Sequence, residues 1–413
     1  MVPNSVVTLF VDLAAIIVAA RLLGALATRL GQPAVIGEVL AGVFVLPLAA
    51  HGFAHSFFGA DTRNSLTALA NVGVALFMFI VGMELDWALM RGRGAVAVSV
   101  AVAAMVLPFA LGIGLGSYLA AEHGGGHGSR FAVFMGIASA ITAFPVLARI
   151  LLDQGMRRTP VGSLALTCAA IGDVLAWVVL AVVVATMGGG TNPVYALLIA
   201  PYLLVMYLVV KPALRWLATR QEGGGLGLLA TVVTGVLLSG AFTELIGLHF
   251  IFGAFMFGVV MPRENGLWLR SYVHDRLSEL NSVLLMPVFF IVAGLKVDLS
   301  AFDPSGLDVL FLILLVAISG KFVGAFVTAR LYRLPARESA TLGVLMNTRG
   351  LTELIVLSVG LELGLLDRKI YTLMVVMAIV TTAMAGPLLR LTYPPSRVAQ
   401  DTVPVPEAEP AAR

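Results

Sequence analysis

The chain has 413 residues, of which 59% are hydrophobic and 12% charged, and its mean hydropathy is +0.99. A water-soluble domain carries about 25% charged residues, so a soluble fold is excluded, and the short loops between apolar runs leave no stretch for a second folded domain. The formal net charge of +3 does not point to nucleic acid, because the basic residues fall in alternate loops, as insertion into a membrane demands.

A helix needs ~20 apolar residues to cross a bilayer. Runs bounded by charge, Gly and Pro clusters predict thirteen spans, at 5–28, 33–50, 65–85, 94–120, 131–153, 160–187, 193–219, 226–246, 248–261, 278–296, 306–331, 336–361 and 367–392. The expectation is therefore an all-α polytopic membrane domain over 1–392, with a short disordered cytoplasmic tail at 393–413, rich in Pro, Ala and Glu. The first basic residue is Arg21, so the opening run reads as a retained span and not as a cleaved signal peptide. With the N-terminus outside, 19 of the 26 Lys and Arg lie on the cytoplasmic side. Arg63, Arg130, Lys296, Arg368 and Lys369 lie outside, and Lys321 and Arg349 fall within spans. This orientation places the C-terminus in the cytoplasm and the protein in the plasma or inner membrane. The segment 266–282 reads as an interfacial amphipathic helix leading into the tenth span. Cys168, the single cysteine, sits in a span, so no intramolecular disulfide forms. No phosphate-binding GxxxxGK[ST] loop, paired CxxC or HExxH occurs, so nothing suggests an enzyme, a cofactor or a resident metal.

A weak repeat joins the two halves. IGEVLAGVFVLP at 36–47 aligns with IFGAFMFGVVMP at 251–262, matching Gly37 and Gly42 to Gly253 and Gly258. FIVGMELD at 79–86 aligns with FIVAGLKVD at 290–298, and Thr142 in the interruption ITAFP aligns with Thr348 in NTRG. Seven spans separate the copies, so the odd number inverts one against the other. Inverted repeats with paired interrupted helices mark secondary transporters that bind substrate near the midplane.

Ionisable side chains inside a bilayer cost ~2.5 kcal/mol or more each and are functional candidates. Four qualify: Asp173, Lys321, Arg349 and Glu353. Asp173, Lys321 and Arg349 lie near the middle of their spans, and the four formal charges cancel. Asp173 has no charged neighbour between Arg158 and Lys211, so it either anchors Lys321 or is a site that alternately holds a proton and a cation. Its carboxylate suits a small alkali cation and releases that cation on protonation. Arg349 and Glu353 are four apart and can pair on one helix face, as a structural brace or as part of the transport path. Ser139, Thr142, Asn347 and Thr348 at the interruptions are candidate neutral ligands beside freed carbonyls. Glu38 either lines a cytoplasmic funnel or caps its helix. Asp12, Glu84, Asp86 and Glu244 read as interfacial. His123, His127 and His249 read as solvated or hydrogen-bonded, with pH sensing as the alternative.

GQPAVIGEVLAG at 31–42, NVGVALFMFIVGMELD at 71–86, ITAFPVLARIL at 141–151, GDVLAW at 172–177 and NTRGLTEL at 347–354 resemble the monovalent cation:proton antiporter-2 family of the sodium/proton exchanger superfamily. That family includes Kef-type potassium systems and plant cation exchangers. The resemblance covers residues 8 to 392. It implies a homodimer in the bilayer, with inverted five-helix repeats, two crossed broken helices and elevator-like alternating access. It also implies Na⁺ or K⁺ exchanged for H⁺, Asp173 as the ion-binding aspartate, Lys321 as the basic residue of the tenth core helix, and Thr142 with 347–350 at the crossing. Where relatives carry Asp, Asn or Gln before that aspartate this chain has Gly172, so a second carboxylate is missing and one-for-one electroneutral exchange is expected. The nucleotide-binding domain common in Kef-type relatives is absent from this sequence. A gated cation channel and an exporter of organic ions or ionophore complexes are the alternatives.

Overall fold

The computed structural model of the chain describes residues 5–48, 60–84, 94–123, 128–156, 159–187, 198–220, 225–246, 249–262, 267–297 and 304–401. They form sixteen helices. These are α1 (Ser5–Arg29), α2 (Ala34–Leu48), α3 (Ala60–Glu84), α4 (Gly94–His123), α5 (Gly128–Ala140), α6 (Phe144–Asp153), α7 (Pro160–Met187) and α8 (199–220). They continue as α9 (Leu226–Leu245), α10 (Phe250–Val259), α11 (267–295), α12 (Pro304–Leu331), α13 (Ala336–Met346), α14 (Leu351–Glu362), α15 (Arg368–Thr392) and α16 (Pro395–Asp401). Among the described residues nine helices are long and apolar enough to cross a membrane. Shorter apolar helices, Ala34–Val43 and Phe250–Val259, belong to α2 and α10. The pairs α5–α6 and α13–α14 are the halves of two helices broken at mid-length, so the protein is a multi-pass membrane protein.

The closely packed helix pairs sort into two bodies. One body, the frame, joins α1, α2 and α3 to α9, α10 and α11. The other, the core, joins α4 to α7 with α12 to α15. The repeat is visible in the way the frame is packed. A Cβ on Gly37 would lie 2.1 Å from the Leu23 carbonyl oxygen, and one on Gly253 would lie 2.1 Å from that of Ser239. Each member of the second pair is 216 positions beyond its counterpart. In the same way Gly42 of α2 faces Gly294 of α11, and Gly258 of α10 faces Gly82 of α3. The partners are exchanged between halves, as a pseudo-two-fold axis requires. Such small residues let apolar helices approach to backbone contact where no hydrophobic drive operates in lipid.

Two expectations change. Residues 267–280 run through a π-helical turn, Asn281–Leu285, into 286–295 as one helix. Leu269, Val273 and Leu277 are buried, and this part of the helix packs on α3. The apolar stripe is therefore covered by protein, and the segment leads into the tenth span without a break. The tail read as disordered from Tyr393 includes the helix α16, and Tyr393, which caps the end of α15, is buried and donates a hydrogen bond to Asp401 at the end of α16; the remainder of the tail lies outside the described residues. Asp86 and His127 also lie outside them.

Candidate functional site

The first break spans 141–143, between Ala140 and Phe144. Pro145 follows, and proline disfavours helical geometry in the residue before it while fitting the first turn of a new helix. The second break is Asn347-Thr348-Arg349-Gly350. A Cβ at Gly350 would come within 2.6 Å of Val146 Cγ2, so a glycine is needed where this break passes α6. The two breaks bond directly. The Ala143 N–H donates to the Thr348 carbonyl at 3.1 Å, and the Thr142 hydroxyl donates to the Met346 carbonyl at 3.2 Å.

A helix that stops inside a membrane leaves its last carbonyls without intrahelical partners. Here the carbonyls that end α5 are taken by two buried cations. Arg349 donates to Ala138 O at 2.8 Å and to Ser139 O at 2.6 Å. Lys321 of α12 donates to Ala140 O at 2.6 Å and to the Thr142 hydroxyl. Cations near a helix C-terminus also match its dipole. Arg349 further pairs with Glu353 at 2.9 Å, both side chains being fully buried. Its own N–H and C=O are satisfied by one hydroxyl, that of Thr382 on α15, which accepts at 3.0 Å and donates at 2.7 Å.

Asp173 differs from this set. It is 2% exposed, yet neither carboxylate oxygen has a hydrogen-bond partner. The Phe144 backbone amide, at the positive end of α6, and the Lys321 ammonium are the polar groups acting on it. Asn347 Oδ1, where α13 ends, is also buried without a partner. The arrangement thus offers unengaged oxygen atoms beside a crossing whose cations are already committed to backbone carbonyls.

The structure brings Thr142, Lys321, Arg349 and Glu353 together through hydrogen bonds. Ser139 and Thr348 enter through their carbonyls; the Thr348 hydroxyl donates within its own turn, to Leu345 O at 2.8 Å. Glu38 stands apart. It is half-buried on α2, against Gly24 of α1 and under the influence of Arg21. A cavity of about 300 Å³ at the α1–α2 turn is lined by Gln32, Arg149, Gln154 and Thr382. Sequence reasoning missed Thr382, and it missed the role of the carbonyls at 138–140. His123 is hydrogen-bonded: its Nδ1 lies 2.6 Å from Asp367, the residue that caps α15.

The family model described as "Sodium/hydrogen exchanger, transmembrane" matches residues 15–393. The chain is 37% identical to Na(+)/H(+) antiporter NhaS4 of Synechocystis, with 95% of this chain and 98% of that protein covered. It is 37% identical to Cation/H(+) antiporter 20 of Arabidopsis thaliana, over 94% of this chain and 49% of the relative. With K(+)/H(+) antiporter 1 of Saccharomyces cerevisiae the identity is 33%, over 88% and 44%. The chain thus spans about half the length of the plant and yeast relatives and nearly all of the cyanobacterial one. Among solved structures, the sodium proton antiporter MjNhaP1 of Methanocaldococcus jannaschii superposes with a TM-score of 0.68 at 13% identity, covering 97% of this chain and 100% of that one. That likeness concerns the fold.

Proposed function

The chain belongs to the sodium/hydrogen exchanger family, and from that premise we propose that it is a secondary antiporter exchanging Na⁺ or K⁺ for H⁺, with Asp173 as the shared site. One observation carries the assignment. Of the four buried ionisable groups at the crossing, Asp173 is the one whose carboxylate has no side-chain hydrogen bond, with the Phe144 amide and the Lys321 ammonium as the polar groups acting on it. A deprotonated carboxylate is a hard oxygen ligand suited to alkali cations, and protonation removes its affinity for them. Cation and proton then exclude each other from one group, which couples their fluxes.

Lys321, Arg349 and Glu353 serve the crossing in this reading. They neutralise the carbonyls that end α5 and hold the two breaks in register. Asn347 supplies a neutral oxygen, while the Thr142, Ser139 and Thr348 groups are engaged in the scaffold. A half-buried Glu38 lines the cytoplasmic approach. Na⁺/H⁺ and K⁺/H⁺ exchange are both named among the relatives. A homodimer in the cell membrane is the assembly the family resemblance implies.

The test is collapse of an imposed pH gradient in everted vesicles lacking other antiporters, on adding NaCl, KCl, LiCl or choline chloride. Collapse by an alkali cation and not by choline, lost in Asp173→Asn, is expected and identifies the ion. Cation flux without proton movement, from folded protein, would replace exchange with a channel.

A further inference from the structure

We propose that the outer cleft between frame and core is a binding site for a phosphate-type oxyanion, free or as a lipid headgroup, held by Arg63, Lys296 and Arg368. The cleft is a cavity of about 400 Å³, lined by Arg63 and Thr67 of α3, Lys296 at the end of α11, Glu362 at the end of α14 and Arg368 at the start of α15. Among the side chains that line it, three are cations and one is a carboxylate.

Topology alone does not account for this charge. The outer side of a membrane protein is depleted of Lys and Arg, and this chain places only five there by its loop pattern. Three of the five come from separate helices and converge on the one cleft. For a protein that handles cations, a cationic mouth on the transport boundary is also the wrong sign for attracting substrate. It is the right sign for an anion. Arginine presents a planar fork that matches two oxygens of a phosphate, and Lys adds a point charge. The volume suits a phosphate group with its water, and the cleft sits at the ends of α11 and α14 and the start of α15, where a basic pocket between helices can take a lipid phosphate.

Glu362 tunes the site. It engages Lys296 at 3.2 Å and lies 3.9 Å from His249, so its carboxylate both occupies one cation and repels an incoming anion. The cleft walls belong to different bodies: Arg63 and Lys296 to the frame, Glu362 and Arg368 to the core. A bound oxyanion therefore ties the two bodies together on the outer side.

Binding is read directly, so the test does not depend on transport. The purified full chain in neutral detergent is titrated with inorganic phosphate and with short-chain phosphatidylglycerol, following the thermal unfolding midpoint, with sodium chloride at matched ionic strength as the blank. A saturable rise is expected, with apparent affinity at least tenfold weaker in R63Q/R368Q and unchanged in R130Q/K369Q, which removes two outer cations that do not line the cleft. Glu362→Gln is expected to tighten binding several-fold, and it keeps the proposal testable if R63Q/R368Q does not fold. A response to phosphate assigns a free oxyanion; a response to phosphatidylglycerol alone assigns a lipid headgroup. No saturable response beyond sodium chloride to either, equal affinity in R63Q/R368Q, or weaker binding in Glu362→Gln overturns the proposal.

Discussion

The second break depends on a single hydroxyl. Thr382 satisfies both the N–H and the C=O of Arg349, and a buried backbone group left without a partner costs ~1–3 kcal/mol. Thr382→Val preserves shape and removes both bonds. We expect it to lower apparent cation affinity about tenfold, equivalent to ~1.4 kcal/mol, with Thr382→Ser close to the parent, as read from the cation dependence of pH-gradient collapse. An unchanged Val variant would show that the break holds itself. Asp173, Lys321, Arg349 and Glu353 are legible in the sequence because a charge inside an apolar run has a large energetic cost and demands a reason. Thr382 is not, because hydroxyls in membrane helices commonly bond to their own backbone, and its neighbour Thr381 does so, to Met377 O at 2.8 Å. Nothing local separates the two residues. The carbonyls of Ala138, Ser139 and Ala140 are invisible for a simpler reason: every residue has one, and only the crossing shows which are freed.

Helix contacts show where one methyl group is tolerated and where it is not. A Cβ on Gly258 would sit 2.1 Å from the Phe79 carbonyl oxygen, whereas one on Gly172, next to Asp173, meets nothing within 4 Å. Overpacking a tight contact costs typically ~1–3 kcal/mol. Gly258→Ala is therefore expected to lower the unfolding midpoint of the purified protein, while Gly172→Ala leaves it unchanged. Equal midpoints would mean that α10 and α3 can move apart freely. The glycines that set these contacts also carried the repeat in the sequence, since their spacing survives where their neighbours have changed. The orientation of α11 was less legible. Leu269, Val273 and Leu277 form a stripe of helical period that could face either lipid or protein, and only the position of α3 decides between them.

At the scale of the molecule, polar contacts join frame and core on both sides. On the outer side Glu362 meets Lys296 and Tyr371 donates to Ala293 O at 3.0 Å; at the α1–α2 turn Gln32 donates to Ala383 O at 3.3 Å. The His249 imidazole and then the Lys296 ammonium hold Glu362 below the ordinary carboxylate range. A depressed folded value means that this frame–core link contributes stability above the unfolded carboxylate value, which is lost as pH falls through the folded one. Hydrogen-exchange protection across 360–370 should therefore decrease as pH falls through the acid range, and in Glu362→Gln it should be low and insensitive to that change. Protection that does not respond to pH in the parent would remove Glu362 from the link. The stoichiometry follows from the same census of charges. On the proposed reading, with Gly172 in place of a second acid, one carboxylate would carry either one cation or one proton, and each cycle would move no net charge. A gradient of one pH unit, ~1.4 kcal/mol, then sustains about a tenfold opposing cation gradient, whatever the membrane potential. If Lys321 also released a proton in each cycle, one net charge would cross, worth ~2.3 kcal/mol per 100 mV. Reconstituted vesicles with an imposed potassium-diffusion potential, assayed with Na⁺ as the exchanged ion, separate the two cases. Rates and endpoints independent of potential are expected, and a shift in endpoint of that size would assign Lys321 to the transport cycle and not to the scaffold.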